Sequence, residues 1–313
     1  MWTKPFLIES LSDFVWESRN DYSRAMIRNK IHPRAVFKAK GLAPKKWLGQ
    51  NLLVDLSYLD MIVDVANLRE GDHIIEIGAG LGALTKELAR LNVTVWAIEV
   101  DAGFFRELES NLASFPNVNL IHQDVLRFDF RSLAADVGKL KVVANLPYSL
   151  SSRIIFTFQE NHDIFDFAVV MLQKEVAERL VADPGTRDYG ALTVLLAATA
   201  HSQALFNVPP EAFYPRPEVT STMIRIEFPE TPPYNIIDHK FFTKLVKAGF
   251  SSRRKTLRNS LKSLVSPDLS FDRIMDAAGI ASVDLGRRAE TLSVEEFARF
   301  ANTFSDMSRR YSK

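Results

Sequence analysis

The chain has 313 residues, of which 47% are hydrophobic, with 39 Lys and Arg against 38 Asp and Glu, and no cysteine. That length holds one large domain and a smaller one. The absence of cysteine excludes disulfides and thiolate metal sites and fits a reducing compartment such as the cytoplasm. No apolar run approaches the roughly 18 residues of a membrane helix, and the histidines lie too far apart to suggest a metal centre, so a soluble protein without a metal is expected.

Residues 1–46 read as a basic N-terminal extension. Ser10 and Asp13 match a helix start, and Leu11, Phe14, Val15, Tyr22 and Met26 recur at near-helical spacing. The acids Glu9, Asp13, Glu17 and Asp21 speak against an organellar transit peptide. From Tyr22 to Lys46 there are eight Lys or Arg and no acid, and eight more without an acid follow between His239 and Pro267. Two such blocks in a nearly neutral chain point to a polyanion-binding face.

From Trp47 to about 229 helices and strands alternate. A helix over 57–68 precedes the strand "HIIEIGAG", one over 84–91 precedes "VTVWAIEV", and one over 102–113 precedes "VNLIHQDV". "KVVANLPY" is the next strand, followed by a helix from about Ser152 and the strand "FAVVMLQ". "MLQKEVAERL" has amphipathic helical spacing, 191–200 is a long apolar helix, and "EVTSTMIRIEF" is a late strand. Such alternation implies a mainly parallel sheet covered on both faces. The proline-dense "PETPPYN" is a linker, and 230–313 reads as a small all-helical domain with helices over 241–249, 254–264, 271–278 and 294–304.

In open α/β sheets ligands bind beyond the carboxyl ends of the strands. The first strand runs into "EIGAGLGALT", where Gly78 and Gly80 allow close backbone approach to a ligand and Glu76 adds a carboxylate. The second strand ends in Glu99, placed to accept hydrogen bonds from ribose hydroxyls, and the third in Asp124, placed to accept from an adenine amine. These residues suit S-adenosylmethionine better than a nicotinamide cofactor, although the glycine pattern alone fits both. The fourth strand exits into Asn145-Leu146-Pro147-Tyr148. An adenine amine is a poor nucleophile because its lone pair is delocalised, and it must be held in line with its hydrogens directed at acceptors. The Asn145 side-chain oxygen and the Leu146 carbonyl supply two acceptors, Pro147 fixes the turn and Tyr148 offers a stacking face.

These segments resemble the small-subunit (16S-type) ribosomal RNA adenine N(6),N(6)-dimethyltransferases of the KsgA type. "KKWLGQNLLVD", "EIGAGLGALT", "NLPYSLSSRII", "VVMLQKEVAERL", "YGALTVLL", "VPPEAFYPRPEVTSTMIRI", "FSSRRKTLRNSL" and "RAETLS" occur in the family's order. The resemblance implies a Rossmann-like class I methyltransferase domain with a helical C-terminal RNA-binding domain. It also implies transfer of four methyl groups from S-adenosylmethionine to two adjacent adenosines in the 3′-terminal hairpin loop, on an immature 30S-type subunit, by a monomer. By position it assigns Gln50, Asn51 and Leu53 to the methyl donor together with Glu76, Gly78, Gly80, Glu99, Asp124 and Asn145. It gives Asn145, Leu146, Pro147 and Tyr148 to the target-base clamp. Phe213, which the residues alone would place in the core, would close the other face of the base. Arg253, Arg254, Lys255 and Arg258 would lie on the RNA. The extension 1–46 is longer than the family's short tail, and Leu52 stands where a Phe is usual. The alternatives are a macrolide-resistance enzyme acting on large-subunit RNA, a non-catalytic small-subunit assembly factor, and a nicotinamide oxidoreductase.

Overall fold

The computed structural model describes residues 41, 43–45, 48–266 and 269–311. Nearly all of the basic extension, including the expected helix start at Ser10, lies outside them. The sheet has seven strands in the order β4 (Val118–His122), β3 (Thr94–Glu99), β2 (His73–Ile77), β5 (Leu140–Asn145), β6 (Phe165–Gln173), β9 (Ser221–Glu227) and β7 (His201–Val208). The first five run parallel, and β9 is antiparallel to both β6 and β7. The central strands are fully covered: Ile74, Ile75, Val142, Val143 and Val170 are at 0% exposure. Unbroken β-branched runs of this kind are what a strand buried on both faces requires.

The crossovers are helices α1 (Leu56–Ala66), α2 (Ala83–Ala89), α3 (Ala102–Leu112), α4 (Phe130–Val137) and α5 (Ser151–Glu160). Several start on an aspartate that satisfies otherwise orphan amides. Asp55 accepts from Ser57 N (3.0 Å), and Asp101 accepts from Gly103 N (2.8 Å) and Phe104 N (3.1 Å). The order reverses between β2 and β5, the strands on either side of the switch point, where a crevice opens beyond their carboxyl ends. A two-stranded ribbon, β1 (Leu52–Leu53) with β8 (Phe213–Tyr214), lies apart from the sheet.

Several elements differ from the sequence expectation. "MLQ" belongs to β6, and the amphipathic helix begins only at Lys174 (α6, Lys174–Leu180). The apolar helix α7 is shorter, Ala191–Ala197, and β7 follows at once; as an edge strand with exposed His201, Gln203 and Asn207 it has no continuous apolar signature. The short helix α4 was not expected. The helix expected over 254–264 is only α9 (Leu257–Ser260) with a 3₁₀ turn, Leu261–Leu264, behind it. Its first amides are taken elsewhere: Leu257 N donates to the Arg287 carbonyl (2.8 Å) and Arg258 N to the Leu285 carbonyl (2.9 Å). The basic residues ahead of it therefore sit in an open loop.

The C-terminal helices α8 (His239–Gly249), α10 (Phe271–Ile280) and α11 (Val294–Tyr311) enclose their own apolar cluster around Leu245, Phe297 and Phe300. That cluster also takes in Tyr189, Val194 and Leu195, so packing runs past the proline-rich linker and joins the helical part to α7.

Candidate functional site

The crevice at the switch point is a cleft open at its mouth. Segments that meet in it include the stretch before β1, the glycine loop after β2, the ends of β3 and β4 and the turn after β5. Gln50, Asn51, Leu53, Glu76, Gly78, Gly80, Glu99, Asp124, Asn145, Leu146, Pro147 and Tyr148 all line it, so residues up to 98 positions apart in the sequence converge here.

The glycines are required by geometry. Gly80 has φ +61°, and a Cβ there would lie 2.7 Å from Leu52 Cδ2. Gly78 has φ +74°, with Pro147 Cδ at 3.6 Å and the Asn145 carbonyl at 3.9 Å from its would-be Cβ, so the glycine loop lies beside the base-clamp turn. Glu99 is fixed by two backbone amides: Oε2 accepts from Gly80 N (2.9 Å) and Oε1 from Asp101 N (2.8 Å). Burial nonetheless raises its pKa, against the pull of those amides. Asp124 Oδ1 accepts from Leu126 N (3.0 Å), which orients the carboxylate at the end of β4.

The segment before β1 is strapped across the cleft. Lys45 Nζ lies 2.8 Å from Asp101 Oδ2, and Lys45 N donates to Gln50 Oε1 (2.7 Å). Burial would raise the Asp101 pKa, but the Lys45 ammonium and the helix amides outweigh it and hold the carboxyl below its usual range. Gly49 packs so closely on Tyr148 and Ser149 that a Cβ would meet their backbone amides at 3.1 Å. Asn145 Nδ2 donates to the Asn51 carbonyl (2.9 Å), which leaves Oδ1 as the acceptor of that side chain. The Tyr148 hydroxyl is hydrogen-bonded to the fully buried Ser221 hydroxyl at the start of β9. Burial holds the phenol pKa above its usual value despite this partner.

The donor set fits a nucleoside carrying a cationic amino-acid end. Glu99 and Asp124 offer acceptors to hydroxyls and an amine. Two buried polar atoms in the cleft, Gln50 Nε2 and Glu76 Oε2, have no hydrogen-bond partner among the described residues.

Phe213 is not among the residues that line the cleft. It is 3% exposed, pairs with Leu53 across the β1–β8 ribbon and packs into the cluster with Leu59, Ile62 and Val208. Its neighbours Leu53, Leu59 and Ile62 do line the cleft, so Phe213 supports that wall from behind. Arg253, Arg254 and Lys255 on the loop leading into α9, and Arg258 in its first turn, are all exposed. Arg253 Nη1 donates to the Arg187 carbonyl (2.6 Å) across the junction with the helical part, and Arg179 and Arg187 line the same groove. Sequence reading missed Arg179, Arg187, Gly49, Lys45 and Ser221. Their roles depend on neighbours far away in the chain.

A family model described as "Ribosomal RNA adenine dimethylase" matches residues 42–306. "Ribosomal RNA small subunit methyltransferase A" of Alkaliphilus oremlandii is 40% identical over 265 residues, 83% of this chain and 91% of that protein. The protein of the same description from Syntrophus aciditrophicus is 39% identical over 274 residues, 87% of this chain and 98% of its own. Among solved structures, a dimethyladenosine transferase from Plasmodium falciparum superposes with a TM-score of 0.69 at 25% identity, covering 82% of this chain and 98% of that one. The 23S rRNA methyltransferase ErmE, at 24% identity and a TM-score of 0.60, shares the fold.

Proposed function

The chain belongs to the ribosomal RNA adenine dimethylase family, and on that premise we propose that it dimethylates the exocyclic amines of two adjacent adenosines in the 3′-terminal hairpin loop of small-subunit ribosomal RNA. It is a Rossmann-like, S-adenosylmethionine-dependent methyltransferase. The finer assignments (a monomer working on an immature 30S-type particle in the cytoplasm) are part of the proposal. Among the described residues no helix is long and apolar enough to cross a membrane.

The observation that carries the reading is the closeness of Gly78 to the Asn145–Pro147 turn, where a Cβ on Gly78 would fall 3.6 Å from Pro147 Cδ, so that the donor loop lies beside the base clamp. S-adenosylmethionine supplies an electrophilic methyl on a sulfonium sulfur that departs as a neutral thioether. The protein's task is to present an amine to it. Asn145 Oδ1 and the Leu146 carbonyl accept the two amine hydrogens and so aim the nitrogen lone pair at the donor. Tyr148 holds the base by stacking, its ring angle set by Ser221. Forming the N–C bond makes the nitrogen acidic, so its proton passes to solvent without a strong base, and orientation carries most of the rate enhancement. Glu99 and Asp124 would bind the ribose and adenine of the donor, with Gln50, Asn51 and Leu53 covering it. Arg253, Arg254, Lys255 and Arg258 would hold phosphates, which set register more than sequence.

The test is transfer of tritium from labelled S-adenosylmethionine into small subunits lacking these methyl groups. Large subunits and the Tyr148→Ala protein are the controls. Dimethyladenosine in the small subunit, lost in the variant, is the expected result. Label confined to large-subunit RNA would overturn the substrate. Subunit binding without label would leave an assembly factor.

A further inference from the structure

Glu76 stands near the end of β2 and lines the cleft, 3% exposed, with Oε2 buried and unpartnered, and among the described residues it forms no ion pair. Each element packed on it brings no compensating charge. From β3 comes the Glu99 carboxylate, which disfavours a second negative charge. From α2 comes Thr85, a polar neighbour that opposes the effect of burial only in part. The strap brings Gln50, and α1 brings Leu59 and Ile62. The Lys45–Asp101 pair lies beyond Glu99 and is matched within itself. An unpaired buried carboxylate beside another one is costly, and in practice such a group takes up a proton. Burial, with the Glu99 charge added, pushes the Glu76 pKa up to about 8.

We propose that Glu76 is a neutral carboxylic acid in the ligand-free cleft and ionises against the ammonium of the methyl donor, so that donor binding releases one proton. The inference deepens the donor-site reading and rests on it. The balance is simple: the Glu76 O–H proton goes to solvent and the carboxylate pairs with the ammonium. The ammonium is chosen over the sulfonium because Oε2 lacks a hydrogen-bond donor, and only the ammonium has hydrogens to give. Glu76 thereby selects ligands that keep a free amino group.

The test is isothermal titration of the full chain at pH 6.5 in two buffers of different ionisation enthalpy. The ligands are S-adenosylmethionine, S-adenosylhomocysteine and 5′-methylthioadenosine, which lacks the amino-acid end. Expected is release of close to one proton with the first two ligands and none with the third. The donor Kd should tighten about tenfold per pH unit between pH 6 and 7, because one proton is linked to binding. In Glu76→Gln the release disappears and the Kd becomes flat with pH. The proposal is overturned if the donor binds the native chain without releasing a proton, if methylthioadenosine releases as many, or if Glu76→Gln binds and still releases one. The three-ligand comparison on the native chain decides the matter even if the variant fails to fold. Failure of S-adenosylmethionine to bind at all would instead overturn the donor-site reading itself.

Discussion

Asn145 and Asn51 are 94 residues apart in sequence and joined by a 2.9 Å hydrogen bond from the Asn145 side-chain amide to the Asn51 carbonyl. The bond ties the strap over the donor cleft to the turn that presents the target base, and it fixes which end of the Asn145 amide faces the substrate. Donor cover and base clamp are therefore one piece of structure.

Asn145→Asp keeps an oxygen toward the amine but loses the donor, and sets a carboxylate oxygen against the Asn51 carbonyl. Repulsion should swing the side chain out of line. We expect single-turnover methylation at saturating donor to fall about a hundredfold, the scale of a misplacement near 1 Å. Thermal stability should change little. A rate within threefold of the native chain would show that the amide's orientation does not matter.

Tyr148 and Ser221 separate stacking from aiming. Tyr148→Ala removes the ring and should weaken productive RNA binding by about 1–3 kcal/mol. Tyr148→Phe keeps the ring but loses the Ser221 tie, as does Ser221→Ala. Both should lower kcat modestly and equally, and the double variant should be no worse than either, since both substitutions remove the same interaction. Additive losses would mean that Ser221 acts through something other than Tyr148.

Much of the site was legible in the sequence because its chemistry sits at strand ends. Glu76, Gly78, Gly80, Glu99, Asp124 and Asn145 each lie at or just beyond a strand's end, and the parallel topology brings strand ends together. The Tyr148–Ser221 tie was not legible. It joins a turn to the start of a strand 73 residues later, and no local pattern marks such a pairing. Strand β7 was missed because one of its edges is unpaired and several of its residues are exposed and polar. The helix expected over 254–264 is shorter than its spacing suggests, because the carbonyls of Leu285 and Arg287 capture its first amides.

Phe213 distinguishes packing from base contact. Its ring is buried beside Leu53, so Phe213→Ala should destabilise the chain by about 3–5 kcal/mol, as for other buried aromatic deletions. Donor binding should weaken with it, because β1 loses its support. Calorimetry checks this. An unchanged Tm with lost methylation would restore the base-closing role that the family resemblance gives this residue.

Arg253, Arg254 and Lys255 on the loop and Arg258 in the first turn of α9 are exposed and make few internal hydrogen bonds, so replacing all four with alanine should leave the Tm nearly unaltered. RNA affinity should fall and its salt dependence flatten, because every phosphate left without its cation lowers the slope of log K against log salt by about 0.7–0.9. Filter binding at several salt concentrations measures both. An unchanged slope would place the RNA on another face.

Glu76 makes stability depend on pH as well. Its folded pKa, about 8, lies above the ordinary 4.5, so the folded state holds a proton that the unfolded state has already released between those values. The contribution is fully present below about pH 4.5 and is lost as pH rises through 8. Glu76→Gln keeps a neutral, hydrogen-bonding side chain of the same size and escapes that loss. The variant and native chain should melt alike near pH 5, and the variant should melt higher by roughly several degrees at pH 9, each kcal/mol being worth about 2–4 °C in a chain somewhat smaller than this one. Without ligand, a constant Tm difference across that range would show that Glu76 is already ionised. Adding S-adenosylmethionine should narrow the gap at high pH, because the ammonium then supplies the missing countercharge.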